Sequence, residues 1–194
     1  MPNIETLHIL LIINFAFIGL LPQIFFLNNG KLNLKWWMTA LPFYIDGAYL
    51  IALFWVSDSS GITRGALLVP WLDVLATLLS ITSVALIAFT LGTHRRSISL
   101  WHQDNDAPAS IVTYGAYSRV RHPFYSSFIL ALLATCVYAP APISLAALGY
   151  GFIALSLTAR REESRLLASE FGAEYGKYLS RTGRFFPRLT PVSE

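Results

Sequence analysis

Gly115-x-Tyr117-x-x-x-Arg121-His122-Pro123-x-Tyr125 and, about forty residues later, Arg160-Arg161-Glu162-Glu163 are the residues of this chain best suited to chemistry. Pro123 fits the first turn of a helix, where its missing N–H costs nothing. The N–H groups of such a turn have no partner inside the helix, and the helix dipole turns its positive end toward them. Arg121 and His122 add donors at the same point, so the spot suits an anion such as a carboxylate or phosphate. The plainer alternative is that Arg121 touches lipid phosphate and His122 caps the helix. Glu162 and Glu163 close an apolar run, at the negative end of a helix dipole, where carboxylates are unfavourable. They call for a compensating cation: Arg160, Arg161, Arg121 or a positively charged ligand. A solvated run of charges is the competing reading.

The elements that must position these groups are apolar. Of 194 residues 55% are hydrophobic and only 13% charged, and the mean hydropathy is +0.54. A soluble domain carries about a quarter charged residues. Leu7–Leu27, Trp36–Val56 and Ala66–Leu91 are each long enough for a hydrocarbon core of about 30 Å, which takes about 20 helical residues. Phe124–Ala139 and Ile143–Ala159 are shorter, and Ala139-Pro140-Ala141-Pro142 turns one into the other. The pattern predicts an all-α integral membrane protein. It has five transmembrane helices, the last two a helical hairpin that returns both polar clusters to one side, and a C-terminal amphipathic helix on the cytosolic side. Residues 1–91 hold the first three helices and residues 92–194 the region able to do chemistry. Met1–Thr6 has no Lys or Arg and no small-x-small cleavage site follows, so Leu7–Leu27 reads as a span rather than a secretion signal.

Charge sets the orientation. With the N-terminus outside, Lys31, Lys35, Arg95, Arg96, Arg119, Arg121, Arg160, Arg161, Arg165, Lys177, Arg181, Arg184 and Arg188 lie inside and only Arg64 outside. The C-terminus is then cytosolic, and the membrane is the plasma (inner) membrane if the source is prokaryotic. The basic balance reflects orientation and anionic lipid rather than nucleic acid. The lone Cys136 reads as a small core residue. His94 and His102 lack carboxylates or Cys at ligand spacing, so no metal is expected.

In the tail, Leu167, Phe171, Tyr175 and Tyr178/Leu179 recur at helical spacing, with a bend near Gly172 and Gly176. Asp46 sits at the centre of its span and Asp73 nearer an end; intramembrane acids are functional candidates, with packing as the alternative, and Asp46 could line an acceptor cavity. Asn14 and Gln23 with Pro22 read as interhelical glue and a kink. The five tryptophans mostly lie near span ends, as interfacial anchors.

Anion-holding and cation-holding groups in one pocket beside apolar helices match a zwitterion with a sulfonium, such as S-adenosylmethionine, and match other amphiphiles as well. Gly115-Ala116-Tyr117, Arg121-His122-Pro123-Phe124-Tyr125, Arg160-Arg161-Glu162-Glu163 with Leu166, Phe171-Gly172, Tyr175, Tyr178 and Arg184-Phe185-Phe186-Pro187 follow one another over about the last 85 residues. This ordered set resembles the isoprenylcysteine carboxyl methyltransferase family and, more loosely, membrane phospholipid methyltransferases. The resemblance implies S-adenosylmethionine bound on the cytosolic side, S-adenosylhomocysteine as product, and a lipophilic small molecule or prenylated peptide arriving laterally from the lipid bilayer.

It also implies roles. His122, Pro123 and Tyr125 would hold the cofactor's amino-acid end, Tyr117 would line its pocket, and Glu162 or Glu163 would pair with its ammonium or ribose. Arg121 would orient a carboxylate, with Arg160 and Asp46 toward the acceptor; Arg121 and Glu163 are the candidate catalytic pair. Ser126-Ser127 stand where the family often has Gly. An NADPH-dependent, sterol-reductase-like enzyme and a non-catalytic lipid-binding scaffold are the rival expectations.

Overall fold

A chain crossing hydrocarbon must satisfy its backbone N–H and C=O groups internally, and for these runs the helix is the solution. The computed structural model describes residues 4–20, 25–27, 29–60, 69–93 and 111–188. Among them are six α-helices: α1 (Ile4–Leu20), α2 (Leu34–Ser60), α3 (Val69–Thr93), α4 (Pro123–Tyr138), α5 (Pro142–Leu167) and α6 (Gly172–Arg181), with a 3₁₀ turn at Gly115–Ser118. Leu34–Val56, Pro70–Thr93 and Pro142–Leu167 are long and apolar enough to cross a membrane. The apolar α1 and α4 are shorter, about 25 Å each at 1.5 Å per residue.

One boundary differs clearly from expectation. The first apolar run does not stay helical to Leu27. Phe25–Asn33 folds back on itself through Leu27 N–H to Lys31 O (2.8 Å) and Asn33 N–H to Phe25 O (2.9 Å), around Gly30 in the left-handed region at φ +75°. The fifth run continues into the tail, as the pattern leads one to expect: α5 runs without a break past Ala159 to Leu167 and so carries the acid pair on a rigid rod. The chain then breaks at Gly172, where a Cβ would lie 2.3 Å from the Leu167 carbonyl oxygen. Gly176, by contrast, sits inside α6. Pro22, Gln23, His94, Trp101 and His102 lie outside the described residues.

The short α4 is the centre of the bundle: 12 of its 16 residues are buried. It packs chiefly on α3 and α5, while α2 packs on α5 and α1. Phe128 of α4 meets Phe17 edge-on at 5.2 Å and Phe43 at 5.0 Å. Trp71, 78% exposed, and the outward Leu78, Ile81 and Phe89 leave α3 an apolar outer face that suits lipid. Trp36 is not an interfacial anchor. It is buried under the Phe25 turn, 4.8 Å from the Phe25 ring. Cys136 is a buried free thiol.

Polar groups inside the bundle are tied across helices. The Thr135 hydroxyl of α4 donates to Asp46 Oδ2 of α2 at 2.7 Å, and Ser83 of α3 to the Ser127 carbonyl at 2.6 Å. Removing a partner from a buried acid costs about 1–3 kcal/mol. Thr135→Val is therefore expected to lower stability by about that amount, read as thermal unfolding in detergent, while S-adenosylhomocysteine affinity per folded molecule stays unchanged.

Candidate active site

Three pieces of local geometry deliver the Arg-His-Pro motif to one end of the bundle. Gly115 has φ +61°, and a Cβ there would stand 2.5 Å from Thr93 Oγ1. The Ala116 N–H donates to that same oxygen at 3.2 Å, which docks the 3₁₀ turn on the end of α3. Residues 119–122 then run beside residues 183–184. Arg121 N–H donates to Gly183 O at 2.8 Å, His122 N–H to Arg184 O at 3.0 Å, and Gly183 N–H to Arg119 O at 3.2 Å. Gly183 is required by space: a Cβ would fall 1.7 Å from the Phe186 carbonyl oxygen. Pro123 opens α4 as the motif predicts, but the His122 side chain makes no capping hydrogen bond. It points instead at the acid pair.

Around Glu163 the cluster closes. This carboxylate is buried, 5% exposed, near the end of α5. Arg121 Nε donates to Glu163 Oε1 at 2.9 Å, and Arg184 donates from Nε to Oε1 at 3.1 Å and from Nη2 to Oε2. Arg121 Nη1 reaches the carbonyls of Leu179 (3.3 Å) and Thr182. His122 Nε2 stands 3.3 Å from Glu163 Oε1, and its Nδ1 3.5 Å from Glu162 Oε2. Buried Nε2 nonetheless makes no well-aligned hydrogen bond.

Glu162 is only half-buried and accepts the Tyr125 hydroxyl at 2.6 Å. The Tyr125 and His122 rings are stacked, 5.3 Å apart and 2° from parallel. Tyr178 donates to the Tyr117 carbonyl at 2.7 Å. Burial pushes the Tyr178 phenol up to about 12 and Tyr117 higher still, so both stay neutral. The hydrogen bonds from Arg184 to Glu163 hold that guanidinium protonated more firmly than usual.

Beside Glu162 a groove of about 360 Å³ opens between the start of α2 and α5. Met38, Ile153, Ala154 and Leu157 line its apolar length; Lys35, Arg161, Glu162 and Arg165 line its polar end. The two adjacent acids thus face different ways. Glu163 points into the protein among guanidiniums, and Glu162 onto the groove.

Of the residues singled out in the sequence, the fold gathers Tyr117, Arg121, His122, Pro123, Tyr125, Glu162 and Glu163 at one end of the bundle. Arg160 is exposed and outside the ion cluster. Asp46 is bonded to Thr135 in the core and does not line the groove. Arg184 is the participant to which the sequence reading gives no role: it stands there only among the inner-side charges and as the start of the closing Arg184-Phe185-Phe186-Pro187 element. The acid pair announced a need for cations without pointing to this one. The donor set fits a zwitterion: Glu162 offers an acceptor for an ammonium, and N–H groups of the first turn of α4 offer donors for a carboxylate, beside a His122 ring whose Nε2 already stands 3.3 Å from Glu163 Oε1.

The model of the isoprenylcysteine carboxyl methyltransferase (ICMT) family matches residues 74–169. Over those residues the chain is similar to the ICMT family. Methanethiol S-methyltransferase 2 of Bradyrhizobium diazoefficiens is 30% identical over 173 residues, 80% of this chain and 64% of that protein. The cobalt-zinc-cadmium resistance protein CzcN of Cupriavidus metallidurans is 37% identical over 81 residues, 42% of this chain and 37% of that protein. The chain therefore spans less than two thirds of the length of either relative. No solved structure matches it. The ICMT-family match covers α3, the motif, α4 and α5 through the acid pair, and stops before α6 and Arg184, which complete the cluster.

Uncoupling one partner of a buried ion cluster costs about 3–5 kcal/mol, because the remaining charges lose compensation. Glu163→Gln is expected to destabilise the fold by that order, measured by thermal or denaturant unfolding. Arg184→Ala should cost less, since its side chain is 37% exposed and water can stand in. Equal stability of Glu163→Gln and wild type would refute the cluster's structural role.

Proposed function

We propose that this chain is an integral-membrane methyltransferase that moves a methyl group from S-adenosylmethionine to a lipophilic acceptor. The preferred acceptor is the carboxylate of an isoprenylcysteine-like molecule. The observation that carries the proposal is the meeting of the Arg-His-Pro motif, the acid pair and an apolar groove at one end of the bundle, in a chain similar to the ICMT family. Bound S-adenosylmethionine supplies an electrophilic methyl on a sulfonium. Glu162 would accept the cofactor's ammonium, while His122 and the first turn of α4 hold its carboxylate and Tyr117 and Tyr125 line its side.

Glu163 and Arg121 then take roles other than direct contact with the methyl group. Glu163 already accepts from Arg121 and Arg184, and two nitrogens of Arg121 are engaged. The pair would hold the motif in register while cations on the groove orient the acceptor. A carboxylate acceptor is ionised at neutral pH, its ordinary pKa being about 3.5. No general base is needed; alignment and exclusion of water suffice. The bundle would lie in the plasma (inner) membrane of a prokaryotic source, with the N-terminus outside and the site cytosolic, as the distribution of Lys and Arg favours.

A second reading rests on the relative named for methanethiol: the acceptor is a thiol. Such an acceptor reacts as its thiolate, the fraction of the thiol already ionised at the working pH. The two readings separate by pH. Turnover of a thiol should rise toward its ordinary pKa of about 8.5, whereas turnover of a carboxylate should be flat above about pH 5.

Calorimetric titration of the purified protein with S-adenosylhomocysteine and with NADPH tests the class. Micromolar binding of the former alone is expected, weakened about tenfold or more in Glu162→Gln. Binding of NADPH alone would replace the methyltransferase by a reductase, and silence from both in lipid would leave a scaffold.

A further inference from the structure

The groove has a built end. Pro42 lies inside α2 and has no N–H, so the Met38 carbonyl four residues earlier loses its helical donor. Tyr150 of α5 supplies a replacement: its hydroxyl donates to Met38 O at 2.9 Å. One residue on, the helices touch. A Cβ at Gly151 would stand 3.6 Å from Pro42 Cβ and Cγ, ordinary van der Waals contact, and 2.6 Å from Leu132 Cδ1, so the glycine makes room for α4 while its backbone lies against the proline ring. From that contact toward the acid pair the helices part, and Ile153, Ala154, Leu157 and Thr158 line the space between them.

We propose that Tyr150 is a specificity-determining residue: pinned to the carbonyl that Pro42 leaves free, it ends the groove and fixes the longest apolar chain that an acceptor can carry. This rests on reading the groove as the acceptor site. Glu162 is twelve residues from Tyr150 along α5, about 18 Å of helix, which bounds the tail between the polar end and the stop. Lys35, Arg161 and Arg165 outnumber the single carboxylate Glu162 at the polar end, so the fitting occupant is a single-chain amphiphile with an anionic head. Entry is sideways, since Met38, Ile153 and Leu157 are each at least half exposed along the groove. Tyr150 is a fixed stop rather than a swinging gate, because moving it would leave a bare carbonyl facing hydrocarbon.

The test uses the full chain in lipid nanodiscs. Unbranched alkyl carboxylates from octanoate to eicosanoate displace a fluorescent polyene fatty acid, with empty nanodiscs subtracted. Wild-type affinity is expected to climb with chain length and then fall. In Tyr150→Ala the maximum should move to longer chains, with a gain of about tenfold for chains just beyond the wild-type limit, the worth of about two more buried methylenes. Pro42→Ala, which returns a helical donor to Met38 and frees Tyr150, should blunt the fall. Tyr150→Leu makes the same comparison if the alanine variant does not fold. An unmoved maximum in a variant that still binds S-adenosylhomocysteine overturns the proposal, as does wild-type affinity that rises without limit or favours two-chain phospholipid. Loss of S-adenosylhomocysteine binding by the wild type alone would instead strike the methyltransferase reading and leave the length limit standing.

Discussion

A carboxylate buried at the end of an apolar helix is the constraint around which the rest of the molecule is arranged. Glu163 can keep its charge there only if cations are brought to it, and they come from remote places. Arg121 arrives on the extended segment before α4, and Arg184 on the strand-like tail after α6. Arg121 also binds the Leu179 and Thr182 carbonyls at the C-terminal end of α6, where a helix dipole favours a cation. One charge therefore fixes the relative positions of α4, α5, α6 and the tail. With Glu163 committed inward, its neighbour Glu162 is the acid available at the groove.

The bundle solves a second problem, how helices of unequal length can present one polar end. α4 is too short to define a slab alone, but it is buried by its neighbours and need not. Small residues on it, Ser126, Ser127, Ala131 and Ala134, allow close approach. Ser126 adds a polar link: its hydroxyl donates to Phe185 O at 2.7 Å, one more tie between α4 and the tail.

Much of this was legible because local rules and membrane rules agree. Pro123 had to open a helix, Pro140 and Pro142 had to turn one, and Gly172 had to break one; each does. The acid pair left two readings open, a solvated run of charges or compensation by cations, and Glu163 takes the second. What could not be read was which cations. Arg160 and Arg161 neighbour the acids in sequence, yet a helix turns adjacent side chains about 100° apart, so Arg160 faces outward. Arg184 reaches Glu163 only through pairing of Gly183 with the motif, a long-range contact that no periodicity announces. The end of α1 was misplaced because Phe25–Leu27 are as apolar as a span while forming a hairpin, and Trp36 was misplaced because that hairpin covers it. For Asp46, depth left packing and an acceptor cavity both open; Thr135 holds its Oδ2 and it does not line the groove, while its Oδ1 is buried without a hydrogen bond.

The pairing of residues 119–122 with 183–184 also sets an order of assembly. A ribosome releases the chain from its N-terminus, so the apolar helices can enter the bilayer while the tail is still being made. Until Gly183 and Arg184 emerge, Glu163 has Arg121 but lacks its fork-shaped partner, and the motif strand lacks its neighbour. Membrane insertion of the apolar helices and completion of the site are thus separate events in the life of the molecule, with residues 183–184 acting as the fastener.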